Sequence, residues 1–93
     1  MRLLLDTHVF LWYISGDVRL PAAFRGPIRD PVNDVFASLP IDEGAFIHLA
    51  KLPRLHRDPF DRMLVAQALQ HDLTIATVDP AVRAYSVKLL PMT

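Results

Sequence analysis

The sequence predicts a small α/β domain: a parallel sheet flanked by helices on both faces. Three observations carry this. Arg2-Leu3-Leu4-Leu5 before Asp6, and Leu73 to Val78 before Asp79, are short apolar runs that each end at an acid, as strands buried on both faces do. Between them lie stretches with apolar residues at helical spacing. Strand patterns separated by helix patterns select parallel pairing through crossover connections. At 93 residues the chain is expected to be one domain, residues 1–93, with a single modest core.

Each element follows from local chemistry. After the first strand, Thr7 is in position to cap the segment HVFLWYIS, whose bulky side chains are Val9, Phe10, Trp12 and Tyr13. Ser15-Gly16-Asp17 marks a turn. Leu20 to Arg29 reads as a helix opening at Pro21, which Pro27 distorts or divides. Val35 to Ser38 is the second strand, and Leu39-Pro40 breaks the chain after it. Residues 42–50, DEGAFIHLA, begin with acids and carry Ala45, Phe46, Leu49 and Ala50 at helical spacing. A loop from Lys51 to Arg57 leads to a helix from Pro59 to about His71. Leu73 to Val78 is the third strand, Pro80 opens a short turn or helix, and Val87 to Leu90 is a last strand.

Composition removes several classes of function. With 52% apolar and 22% charged residues the chain is globular rather than disordered. The absence of cysteine excludes disulfides and thiolate metal sites and suits a cytoplasmic location. No apolar run reaches the length of a membrane span. The opening MRLLLDTHVFLWYI is interrupted by Asp6 and His8 and is expected to be folded structure, not a signal peptide. Ten basic and ten acidic side chains argue against a general polyanion binder but leave room for a local patch. Lys51, Arg54, Arg57 and Arg62, with His56 among them, are the candidates, against the plainer reading of a solvated surface.

Ligands of an open parallel sheet sit beyond the carboxyl ends of its strands. Asp6 and Asp79 occupy equivalent positions there, and Asp61 lies in the first turn of a helix that can reach the same rim. Crowded carboxylates repel unless a cation neutralises them, and hard oxygen donors with water select Mg²⁺ or Mn²⁺. Each acid also has a structural explanation. Asp58-Pro59-Phe60-Asp61 reads as N-cap, N1, N2 and N3 of a helix, and Asp79-Pro80 as another cap. Asp6 is harder to explain away, because an acid directly after a buried strand requires a partner. His8, His48, His56 and His71 have no metal-ligand spacing and read as surface or packing residues. Neither a P-loop, a dinucleotide glycine pattern nor a Ser/His/Asp order is present. A receiver-like or phosphatase-like domain ranks last, since LLLDTH lacks a second aspartate.

Taken in order, MRLLLDTHVFLWYISGD (1–17), LHRDPFDRMLVAQAL (55–69) and LTIATVD (73–79) resemble the PIN-domain family, and within it the VapC-type toxins of toxin–antitoxin pairs. The resemblance implies a Mg²⁺- or Mn²⁺-dependent endoribonuclease. It implies Asp6, Asp61 and Asp79 as catalytic and metal-binding acids, with Thr7, Thr77 and Asp58 as accessory residues. It further implies an RNA substrate, a cognate antitoxin and a homodimer. Arg54, Arg57 and Arg62 are then candidates for holding the RNA backbone.

The sequence departs from the family at one place. The family's second strand leads into a helix of pattern S-x-x-S-x-W-E-I, whose glutamate is the second acid. Here VFAS runs straight into LPIDEGAFIHLA, as though a family segment were missing between about residues 38 and 40. Asp42 and Glu43 lie nearby, but neither occupies the missing motif, so the second-acid role is not carried to Glu43. Loss of that helical segment is expected to expose apolar surface, in keeping with a mean hydropathy of +0.24. The expected function is therefore a ribonuclease weakened by one missing acid. The alternative is an impaired relative that binds an antitoxin or is vestigial.

Overall fold

The computed structural model describes residues 1–55 and 57–93. In chain order the elements are β1 (Arg2–Leu5), α1 (Thr7–Ser15), α2 (Ala22–Arg29), β2 (Asp34–Phe36), α3 (Glu43–Lys51), α4 (Pro59–His71), β3 (Thr74–Ala76) and α5 (Pro80–Arg83). The three strands form one sheet in the order β2-β1-β3, with both pairings parallel. Leu3 of β1 stands between Val35 of β2 and Thr74 of β3.

Side-chain alternation along β1 explains the layers. Leu3 and Leu5 point into a core with Val9, Leu20, Phe24, Ala76 and Leu90, the face covered by α1 and α2. Leu4 points the other way, into a core with Val65, Ala68, Leu73, Ile75, Val82 and Tyr85 beneath α4 and α5. All three leucines are buried, so the RLLL run is apolar because both its faces are covered. The helices therefore lie on both faces, as the sequence predicts.

Local chemistry sets most boundaries. Gly16 ends α1 at φ +67°, a left-handed conformation that glycine adopts without a Cβ penalty. Asp42 caps α3 by accepting from the Ala45 N–H at 3.0 Å, and Asp58 caps α4 by accepting from the Phe60 N–H at 2.9 Å. Gly44 allows α3 to approach α4 closely, because a Cβ there would collide with the Gln70 amide. The connection from β2 to α3 is held by buried Gln67, whose Nε2 donates to the carbonyls of Leu39 (3.0 Å) and Pro40 (3.3 Å).

Three expectations are corrected. Thr7 does not cap α1. It is the first helical residue, and Asp6, with non-helical backbone at φ −58°, ψ 147°, is the cap. Pro27 lies inside α2 without dividing it, and the helix closes with the Asp30 N–H donating to the Gly26 carbonyl at 3.0 Å. The strand expected at Val87 to Leu90 shrinks to one parallel bridge between Ile75 and Leu89. Its two hydrogen bonds are Ile75 N–H to Lys88 O and Leu90 N–H to Ile75 O. Pro91 follows directly and has no N–H to extend the ladder.

Candidate active site

The chain leaves β1 through α1 and α2 to reach β2 on one side, then crosses through α3 and α4 to β3 on the other. The strand order thus reverses about β1, and the crevice of such a sheet opens at the carboxyl ends of the strands flanking the reversal, here β1 and β3. Asp6 follows β1 directly. Thr77 follows β3 directly, and Asp79 comes two residues later, because β3 stops at Ala76 rather than running to Val78.

Asp6 is 8% exposed, and both its oxygens are engaged. Oδ1 accepts from the backbone N–H of His8 at 3.0 Å, which makes Asp6 the helix cap. Oδ2 accepts from the Thr77 hydroxyl at 2.7 Å. The Asp6 N–H donates to the Ala76 carbonyl at 3.1 Å, tying the two strand ends together. The partner required by an acid after a buried strand is therefore a hydroxyl just beyond the end of the neighbouring strand, together with a helix N-terminus.

Thr77 is fully buried and its hydroxyl serves both sides. It donates to Asp6 and accepts from the Asp79 N–H at 3.1 Å. Asp79 in turn caps α5, its Oδ1 accepting from the Ala81 N–H at 2.9 Å. The Thr77 carbonyl accepts from Arg83 Nη1 at 3.0 Å, and the same nitrogen reaches the Leu90 carbonyl at 3.3 Å. Asp6, Thr77 and Asp79 thus form one hydrogen-bonded chain at the carboxyl edge of the sheet.

The remaining expected residues are placed by their own elements. Asp61 is at the third position of α4, half-buried in its positively polarised first turn. Asp58 is exposed and acts as the cap of that helix. Thr7 is exposed. Asp42 is committed to capping α3 and to accepting from Gln70 Nε2 at 2.7 Å, and the Gln70 contact is the leading cause that lowers its carboxyl below the ordinary value. Glu43 is exposed in the first turn of α3. Arg54, Arg57 and Arg62 line a common groove.

Two contributors at the edge are not among the expected site residues. His8 is well exposed, but its Nδ1 lies 3.7 Å from Asp6 Oδ1, so the imidazole stands at the mouth of the site. Its position directly after Asp-Thr at a strand end was the available signal. Arg83, which holds the Thr77 carbonyl, had the spacing of Asp79-Pro80-x-x-Arg83 as its cue. His48 instead bonds along its own helix, Nδ1 to Gly44 O at 2.9 Å, and His56 lies outside the described residues.

The donor type at this edge suits a hard divalent cation, but the number of donors is small. Among the described residues, no three His, Cys, Asp or Glu side chains converge closely enough to hold a metal ion. A hard cation such as Mg²⁺ can bind through only one or two carboxylates and keep most of its water. Each carboxylate oxygen that already accepts one hydrogen bond retains a second lone pair.

Fold and edge together define a doubly wound parallel α/β domain with acids at its switch point. A PIN domain family model matches residues 19–88, 70 of the 93 residues, and the chain belongs to the PIN-domain family, a nuclease-like fold. The matched stretch includes Asp61, Thr77, Asp79 and the three arginines, while Asp6 and Thr7 precede it. No curated protein and no solved structure matches the chain. Among the described residues, no helix is long and apolar enough to cross a membrane.

Proposed function

We propose that this PIN domain is a Mg²⁺- or Mn²⁺-dependent endoribonuclease of the VapC toxin type, working with a reduced set of acids. The observation that carries this reading is the Thr77 hydroxyl joining Asp6 and Asp79 at the switch point of the sheet. Asp6 and Asp79 would hold the metal, with Asp61 contributing negative charge from the first turn of α4. When bound, the cation supplies Lewis-acid screening of the phosphodiester and lowers the pKa of a bound water.

The chain's own residues do the positioning. Thr77 fixes the rotation of the Asp6 carboxylate, Arg83 fixes the backbone of Thr77, and Arg54, Arg57 and Arg62 engage the RNA phosphates. Unpaired segments are the favoured substrate, since the A-form major groove is too deep and narrow for side chains to read whereas unstacked bases are accessible. A cognate antitoxin, a homodimer and a cytoplasmic location belong to the same reading.

A second reading is favoured by the missing three-acid cluster among the described residues. In it the chain is an impaired relative that binds an antitoxin or is vestigial. The test is cleavage of a structured RNA with and without Mn²⁺, wild type against Asp6→Asn. Metal-dependent cleavage abolished by Asp6→Asn supports the nuclease. Its absence at high protein concentration, with a small protein co-purifying, supports the binding module.

A further inference from the structure

Between α3 and the loop entering α4 lies an open groove of roughly 1000 Å³. That is at the upper end of the size range of ligand sites. Its wall is apolar, with Phe46, Leu49 and Leu52, and its rim carries Arg54, Arg57 and Arg62, with no carboxylate in the described lining. Phe46 is 57% exposed. Arg62 is anchored, its Nη1 donating to the Pro53 carbonyl at 2.9 Å and the Tyr85 hydroxyl at 3.2 Å. Arg54 and Arg57 are exposed and form no ion pair among the described residues.

Three guanidiniums beside an exposed aromatic ring form the combination that binds single strands: cations track the phosphates and a ring stacks an unpaired base. An ordinary apolar peptide would leave the guanidiniums unneutralised. A duplex would keep its bases stacked and unable to reach the ring. Arg62 is one residue beyond Asp61, so a strand in this groove passes the N-terminal end of α4.

We propose that the groove between α3 and α4 is a single-stranded RNA subsite in which one unstacked base lies on Phe46 while Arg54 and Arg57 bind the flanking phosphates. This rests on the nucleic-acid part of the reading above and needs neither the metal nor cleavage.

The experiment measures binding of an unstructured RNA on the order of ten nucleotides, a length within known single-strand site sizes. Fluorescence anisotropy is recorded in chelator, so that catalysis plays no part. Phe46→Ala is expected to weaken binding about tenfold, and Phe46→Trp to restore it. Abasic substitution at the stacked position should weaken the wild type and leave Phe46→Ala unchanged. Arg54→Gln and Arg57→Gln should each lower the slope of log affinity against log salt by about 0.7, the single-strand value per phosphate contact. Equal RNA affinity in wild type, Phe46→Ala and both arginine variants overturns the proposal, as does no RNA binding by the wild type. Preferential binding of an acidic peptide, or weaker self-association in Phe46→Ala with RNA affinity unchanged, reassigns the groove and overturns it too. A failed cleavage assay with this binding pattern intact removes the nuclease reading and leaves the subsite standing.

Discussion

The Thr77 hydroxyl donates to Asp6 Oδ2 at 2.7 Å, across 71 residues of chain. The same oxygen accepts from the Asp79 N–H, so one buried hydroxyl sets the spacing of two acids that the sequence separates widely. Replacing it with a methyl of similar size leaves a buried N–H and a carboxylate oxygen each short of a partner. Thr77→Val is expected to cost about 1–3 kcal/mol, the usual penalty for an unsatisfied buried group, whereas Thr77→Ser keeps both bonds. Urea denaturation of the three proteins measures this. A Thr77→Val midpoint equal to wild type would show that the hydroxyl contributes no net stability.

Asp6 has two structural duties besides any catalytic one, and its variants must be read accordingly. Asp6→Ala removes the cap of α1 and leaves the Thr77 hydroxyl without its acceptor, for an expected loss of about 2–3 kcal/mol. Asp6→Asn keeps one acceptor oxygen, which can cap α1 about as well as aspartate does, while its amide nitrogen can donate to the Thr77 hydroxyl in place of accepting from it. The asparagine variant should stay within about 1 kcal/mol of wild type while losing metal-dependent cleavage. Thermal unfolding and RNA cleavage, run on both variants, separate fold from chemistry. Loss of folded signal in Asp6→Asn would contradict this division.

The legible parts of the molecule were those written in adjacent residues. The helix expected from Pro59 is observed as Pro59–His71, because Asp58-Pro59 is local punctuation that needs no tertiary partner. Strand ends were less legible: β3 is Thr74–Ala76 rather than Leu73 to Val78, since the length of a strand depends on what its neighbour can pair. The cap of α1 is Asp6, one residue before the expected Thr7, because both are capable caps. The choice between them is set by the backbone angles at the end of β1. In the candidate site, the shared edge of Asp6 and Asp79 follows from strand topology. The bond from Thr77 to Asp6 and the approach of His8 depend on side-chain rotamers, about which spacing says nothing.

A pH dependence follows from the turn after α1. Asp17 accepts from Arg19 through both oxygens, Oδ1 from Nε at 3.1 Å and from the backbone N–H at 2.8 Å, and Oδ2 from Nη2 at 2.8 Å. The Arg19 side-chain bonds, followed by its backbone N–H, lower the carboxyl from 3.8 to about 2. A folded value below the unfolded one means that the contribution is fully present above the unfolded value. It is lost as pH falls from 3.8 through about 2. Asp17→Asn should therefore be less stable than wild type at neutral pH, with the difference vanishing across that acid window. Trp12 is a suitable reporter, because the Arg19 guanidinium lies 5.2 Å from its ring. A stability difference that stays constant through the window would rule out this pair as its source.

Gln67 supplies the last prediction, at the connection where a family segment is expected to be missing. It is 6% exposed in the middle of α4, a position otherwise held by Val65, Ala66 and Ala68. Its amide is directed at the carbonyls of Leu39 and Pro40, so the short path from β2 to α3 is stitched to the helix beneath it. Gln67→Leu keeps the buried volume but releases both carbonyls, for an expected global cost of about 1–2 kcal/mol, since freed carbonyls near the surface can bond water. The larger effect should be local. Residues 37–42 would open without the rest of the domain, which raises cleavage there under native-state proteolysis and speeds amide exchange at the start of α3. Both are read by mass spectrometry under conditions in which wild type stays folded. If protection of residues 37–42 is the same in Gln67→Leu and wild type, the connection is held by the packing of Leu39 rather than by the amide.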